Sequence, residues 1–228
     1  MQRAKGSFDQ VRALIFDLDG TLIDSKLDLA ISVNATREHL GLASLAHEQI
    51  FGYVGHGAPT LIRRSLGEQA TDEMVEHALG YFLEYYGAHM LDNTVTYPGV
   101  REGLKMLVGR PMAVLTNKPV GFSQKILEGL RIAHYFRYVY GGDSFEKKKP
   151  DPMGVEVLLR DFRLTPQQAM IVGDSEIDVE TARNAGTWAA CVTYGLGSAQ
   201  LANCPPDLLV DSLTELPERL RGAANTQN

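Results

Sequence analysis

The run Asp17-Leu18-Asp19-Gly20-Thr21 follows directly on the apolar stretch Val11–Phe16, and Gly20 breaks the chain behind it. Two carboxylates therefore stand at the carboxyl end of a buried strand, the edge where open parallel sheets keep their ligand crevices. Side chains two apart on a strand point the same way, so Asp17 and Asp19 face one pocket mouth. Two acids drawn out of water side by side repel, and that cost must be offset. A divalent cation is the simplest offset, and an ion held there suits attack on an anionic ester.

Three further polar clusters fall at the ends of apolar runs. Leu115-Thr116-Asn117-Lys118 closes the run that begins at Met112, and Val172-Gly173-Asp174-Ser175 closes the run from Met170. Between them lies Lys147-Lys148-Lys149-Pro150-Asp151-Pro152. Threonine at a strand end is common for structural reasons, so Thr116 alone carries little. Asp174 is placed to reach a metal. Asp178, four residues on, shares a face of the following helix. It either orients a lysine or a metal-bound water, or is an aspartate favoured by the helix dipole at a first turn. Lys147 and Lys148 are expected to be solvated.

These groups need a scaffold. Val11–Phe16, Met112–Thr116, Tyr138–Gly141, Met170–Gly173 and Trp188–Thr193 read as strands, with Leu208–Val210 as a sixth. Helical patterns at Val120–Leu130, Met153–Asp161, Glu176–Ala185 and Leu213–Arg221 separate most of them. This alternation predicts an α/β fold with a doubly wound, mainly parallel sheet. Asp151-Pro152 reads as an N-cap followed by a first-turn proline, and Thr165-Pro166-Gln167-Gln168 has capping-box spacing.

The alternation fails between the first two strands. Leu27–Leu40, Glu48–Tyr53, Pro59–Leu66 and Asp72–Met90 all read as helix. That is far more than the ~2–6 residues of an ordinary connection. Residues 25–94 are expected to form an α-helical cap beside the site, inserted into a core of residues 1–24 and 95–228. The linkers are Leu22–Ser25 and Asn93–Gly99. A polar tail after Gly222 is expected to fray.

At 228 residues, 44% hydrophobic and 22% charged, the chain has ordinary globular composition, which excludes a disordered or fibrous class. A net charge of −6 argues against nucleic acid as partner, though not against a small anion met by a local cation. Cys191 and Cys204 lack metal-like spacing and are expected as free thiols. No apolar segment has the length of a signal peptide or of a membrane span, so no membrane partner and a cytoplasmic location are expected.

Taken in order, the four clusters resemble the signature motifs of the haloacid dehalogenase superfamily across nearly the whole chain. The resemblance implies a Rossmann-like core, Mg²⁺ dependence and an aspartyl-phosphate intermediate. Asp17 would be the nucleophile. Asp17, the main-chain carbonyl of Asp19 and the Asp174 carboxylate would hold the metal. Asp19 would protonate the leaving oxygen and later deprotonate water, in a negative field that suits an acid. Thr116 and the Asn117 amide would bind phosphoryl oxygens. Lys149 would balance charge, with Lys148 the alternative one register away; Asp178 and Ser175 would support the site.

The segment Tyr53-Val54-Gly55-His56-Gly57-Ala58, with Leu61 and Arg64, resembles the cap loop of bacterial phosphoglycolate phosphatases. So do Tyr97-Pro98-Gly99-Val100, Thr116-Asn117-Lys118-Pro119 and Gly141-Gly142-Asp143. The implied substrate is 2-phosphoglycolate or a similar small phosphorylated acid, met by Gly55, His56, Gly57, Asn117, Lys118 and Arg64. His56 either faces ligand or is exposed. Arg63 and Arg64 could each grip a carboxylate, with at least one of them in solvent, and Lys118 is the better-placed alternative. The stripe Tyr81, Phe82, Tyr85, Tyr86, Met90 reads as cap core or dimer surface rather than a ligand site. Other readings are a nucleotide, sugar-phosphate or pyrophosphate hydrolase, a phosphoglucomutase, or a non-catalytic phosphate-binding regulator. Asp19 argues against a dehalogenase. A monomer or homodimer is expected.

Overall fold

The fold is built outward from β1 (Ala13–Phe16), whose four residues are all buried, as expected of a strand covered on both faces. The computed structural model describes residues 8–221, and the tail expected after Gly222 lies outside them. The other strands of the main sheet are β4 (Met112–Leu115), β5 (Tyr138–Tyr140), β6 (Ala169–Gly173), β7 (Trp188–Val192) and β8 (Leu208–Val210). Their order is β5-β4-β1-β6-β7-β8, and every adjacent pair is parallel. The chain runs outward from β1 on one side through β4 and β5, then crosses to β6 on the other. The crevice of a doubly wound sheet opens at such a reversal.

Alternate residues along the strands feed two cores. Leu14, Phe16, Val114 and Val172 pack on one face with α5 (Val100–Met106), α6 (Val120–Gly129) and α9 (Leu216–Arg219). Ile15, Leu115 and Ile171 pack on the other with α7 (Met153–Phe162) and α8 (Glu176–Ala185). The α5 helix was not foreseen. It is seven residues long and carries Gly103, whose bare Cα lets Leu213 close onto it. The helix expected over Leu213–Arg221 divides instead into a 3₁₀ turn at Leu213–Glu215 and α9, with Pro217 in the first turn of the latter. Asp151 accepts from Met153 N at 3.0 Å, but Pro152 is the flanking residue of α7, so the cap lies one position later than expected. The Thr165 capping box is present, on a 3₁₀ turn at Pro166–Gln168.

The helical insertion comprises α1 (Lys26–His39), α2 (His47–Phe51), α3 (Ala58–Leu66) and α4 (Asp72–His89). Its linkers are not plain loops. β2 (Ile23–Asp24) and β3 (Val95–Thr96) pair antiparallel, which brings entry and exit side by side. Asp28, on the first turn of α1 and 2% exposed, accepts from the backbone N–H groups of Asn93 and Thr94, from Asn93 Nδ2 and from Thr94 Oγ1. Cys191 and Cys204 are both free and buried. No described helix is long and apolar enough to cross a membrane.

Candidate active site

Asp17 leaves the tip of β1 with its N–H donated to Val172 O at 2.9 Å, so its position is locked to the neighbouring strand. Thr116 and Asn117 follow β4, and Asp174 follows β6. The three central strands therefore deliver one cluster each to the same rim, as the sequence predicts. Gly20 sits at φ +87°, and a Cβ there would overlap the Asp174 carboxylate. Gly173 is needed for the same reason against Asp178.

Lys149 joins the acids. Its Nζ lies 2.9 Å from Asp17 Oδ1 and 2.7 Å from Asp178 Oδ1, with the lysine side chain 3% exposed. Asp178 Oδ2 accepts from Asp174 N at 3.2 Å, Ser175 N at 3.2 Å and Ser175 Oγ at 2.8 Å. Both readings of Asp178 thus hold together: it orients Lys149 and it caps α8. Lys149 rather than Lys148 is the buried lysine. Lys148 is not simply solvated, because its Nζ donates to His56 O at 2.8 Å. Lys147 is exposed, with Asp151 Oδ2 at 3.5 Å.

Carboxylate oxygens of Asp17, Asp174 and Asp178 lie within 4.8 Å of one another. Burial raises Asp17 to about 6, against the pull of Lys149. Burial and then the charges of Asp178 and Asp17 raise Asp174 to about 8. Burial pulls Lys149 down, but Asp17 and Asp178 outweigh it and hold the ammonium above its usual range. Asp174 accepts from Thr21 Oγ1 at 3.2 Å and from Gly197 N at 2.9 Å. Asp17 Oδ1 is buried and, apart from the Lys149 ammonium at 2.9 Å, has no partner among the described residues. A buried anionic oxygen with room for another partner beside a second carboxylate fits a hard divalent cation.

Asp19 is turned to a different set of partners. Ser25 Oγ donates to its Oδ1, and Lys118 Nζ reaches Oδ1 at 2.9 Å and Oδ2 at 3.1 Å. The negative field expected at Asp19 is therefore answered by a buried ammonium 99 residues away in sequence. Lys118 also lies 4.7 Å from the centre of the Tyr86 ring. Ser25, Tyr86 and Gly197 were missed as site residues. Tyr86 was visible as a member of an apolar stripe, while nothing local marks Ser25 or Gly197.

The insertion meets the core through the loop before α3. Asn117 Nδ2 donates to Gly55 O and Lys149 O, each at 3.1 Å. Gly57, at φ +87°, lies so near Asn117 that a Cβ would stand 3.0 Å from its carbonyl oxygen. Two openings flank Asp17 and Asp19. One, of about 200 Å³, is polar and includes His56, Arg64, Asp174 and Ser175. The other, of about 50 Å³, is lined by Thr116, Lys118, Tyr86 and apolar side chains of α1, α3, α4 and α6. His56 is half-buried, and burial with Arg64 and Lys148 nearby lowers its pKa. Arg63 is paired with Asp72 on the surface, away from both openings.

Residues 14–192 match the family of haloacid dehalogenase-like hydrolases. A phosphoglycolate phosphatase of Pseudomonas fluorescens is 41% identical over 90% of this chain and 78% of its own length. Another, from Chromobacterium violaceum, is 37% identical over 92% of this chain and 97% of its own. A crystal structure described as a predicted phosphoglycolate phosphatase from Haemophilus somnus superposes with a TM-score of 0.86 at 32% identity, covering 92% of this chain and 97% of that one. The chain belongs to the haloacid dehalogenase-like hydrolases and is a phosphatase among them.

Proposed function

We propose that the chain is a magnesium-dependent phosphomonoesterase for 2-phosphoglycolate or a similar small phosphorylated acid. The observation that carries this is the buried Asp17 carboxylate held between Lys149 and Asp174 at the rim of the sheet. The names of the relatives support the choice of substrate.

In this reading Asp17 attacks phosphorus, a bond forms from its carboxylate oxygen, and the bond to the ester oxygen breaks. Asp19 gives its proton to that departing oxygen and then takes one from the water that cleaves the aspartyl-phosphate. Lys149 holds the Asp17 carboxylate in place, with its own position set by Asp178. Thr116 and the Asn117 amide bind phosphoryl oxygens. Asp17, Asp174 and the Asp19 carbonyl would hold magnesium, which supplies the charge neutralisation that lets an anion approach an anion. Without it, two unit charges at 4 Å oppose each other by ~4 kcal/mol at an effective dielectric of 20.

Residues 25–94 act as a cap over a core of residues 1–24 and 95–228. The contacts of Asn117 and Lys148 with the loop at Gly55–Gly57 keep water from the first transfer. His56 and Arg64 border the polar opening and meet the substrate from that side. The enzyme works as a monomer or homodimer on a cytoplasmic metabolite.

Phosphate release from a panel of phosphorylated metabolites, with magnesium and with EDTA, tests the reading. Metal-dependent turnover highest on phosphoglycolate is expected. High turnover on sugar phosphates with phosphoglycolate inert would remove the proposed substrate.

A further inference from the structure

Tyr86 lies on α4, is 1% exposed, and its hydroxyl proton has no acceptor among the described residues. A phenol so placed costs free energy unless something else occupies its donor. The side chain lines the smaller opening beside Asp19, and its hydroxyl neighbours the Lys118 ammonium. Of that ammonium's three N–H groups, two have Asp19 oxygens as acceptors and the third is within reach of the Tyr86 oxygen, which leaves the phenol's own O–H as the unspent donor. Burial raises the phenol to about 12, so it stays a donor across the physiological range. Leu29, Leu61, Phe82 and Phe122 make the apolar part of the wall, and Asp17, Asp19, Thr116 and Asn117 the polar part. The space is about 50 Å³, room for roughly three to five water-sized groups at about 10–15 Å³ each.

We infer that Lys118 and Tyr86 form the subsite for the substrate's carboxylate. A buried cation and an unspent hydroxyl donor beside an apolar wall match a small anion. Asp19, the proton donor to the ester oxygen, is itself a partner of Lys118. The anion must therefore lie within one or two carbons of that oxygen, which selects phosphate esters of 2-hydroxy acids. The inference rests on the proposed phosphatase reading and sharpens it: the stripe of α4 packs as core through Phe82, Tyr86 and Met90, as the sequence predicts, and Tyr86 serves the ligand as well.

Matched esters test this on the full chain with magnesium: phosphoglycolate against ethyl phosphate, and phospholactate against isopropyl phosphate. The wild type should favour the carboxylated member of each pair at least tenfold in kcat/KM. Tyr86→Phe should lose about tenfold on the carboxylated esters, mainly through KM, and change the neutral ones less than twofold. Because the variant keeps the ring that packs against Lys118, its ligand-free melting temperature should stay close to that of the wild type. Equal losses on both members, or no loss on either, would overturn the subsite. A wild type inactive on phosphoglycolate but selective for phospholactate, with that preference erased in Tyr86→Phe, would support the subsite while removing phosphoglycolate as substrate.

Discussion

Lys149 and Asp178 meet at 2.7 Å, with their side chains 3% and 1% exposed, across 29 residues of sequence. The pair is the keystone of the acidic cluster, because the same carboxylate also binds three donors at the start of α8. Asp178 holds the lysine that faces Asp17 without facing the substrate opening itself.

Replacing Asp178 by Asn keeps the shape and removes the charge that balances Lys149. Activity should fall about 10–100-fold, as is usual for groups that orient a metal or catalytic residue through one intermediate. Steady-state rates across a magnesium titration check this. A wild-type rate at ordinary magnesium would remove Asp178 from its positioning role.

Asp17→Asn should abolish turnover and leave the fold intact. The amide preserves volume but is no nucleophile, and it relieves a buried charge. Circular dichroism and phosphate release together decide the matter, and residual activity near the wild-type rate would be fatal to the assignment.

The metal-free protein should lose stability as pH rises from about 4 to about 8. Asp17 and Asp174 carry folded pKa values of about 6 and about 8 against an ordinary 3.8. The folded state then binds more protons than the unfolded state in that window, so the pair is least costly below its lower edge and most costly above its upper edge. Magnesium should reverse this by binding the ionised pair. The gain in melting temperature on adding magnesium should be larger at pH 8 than at pH 5.5, and an equal gain at both would contradict the proposed ligands.

Asp28→Ala should destabilise the protein by about 2–4 kcal/mol, because it strips acceptors from two backbone N–H groups, an amide and a hydroxyl at the exit of the insertion. Chemical denaturation measures it. A change below about 0.5 kcal/mol, the range of ordinary surface substitutions, would show that the linker does not need this anchor.

Much of the rim was legible in the sequence because its signals are local. Apolar runs followed by Asp17, Thr116 and Asp174 each mark a buried strand and its polar end within about ten residues, and right-handed crossovers put those ends on one edge. The insertion was legible from helical periodicity sustained where a short connection was due. Boundaries such as Glu176–Ala185 and Leu208–Val210 agree with the structure to the residue.

Tertiary structure alone decided which charges pair and which hydroxyls go without. Lys118 could be read as a ligand-facing lysine, but only the fold shows that it spends two donors on Asp19. Lys148 reaches across 92 residues to His56, and Ser25 turns to Asp19 because the paired linkers β2 and β3 return the chain there. Tyr86 belongs to an apolar stripe by periodicity and to the site by its neighbours. Periodicity reports how a side chain faces its own element, whereas hydrogen bonds and ion pairs depend on what distant segments bring within about 3 Å of it.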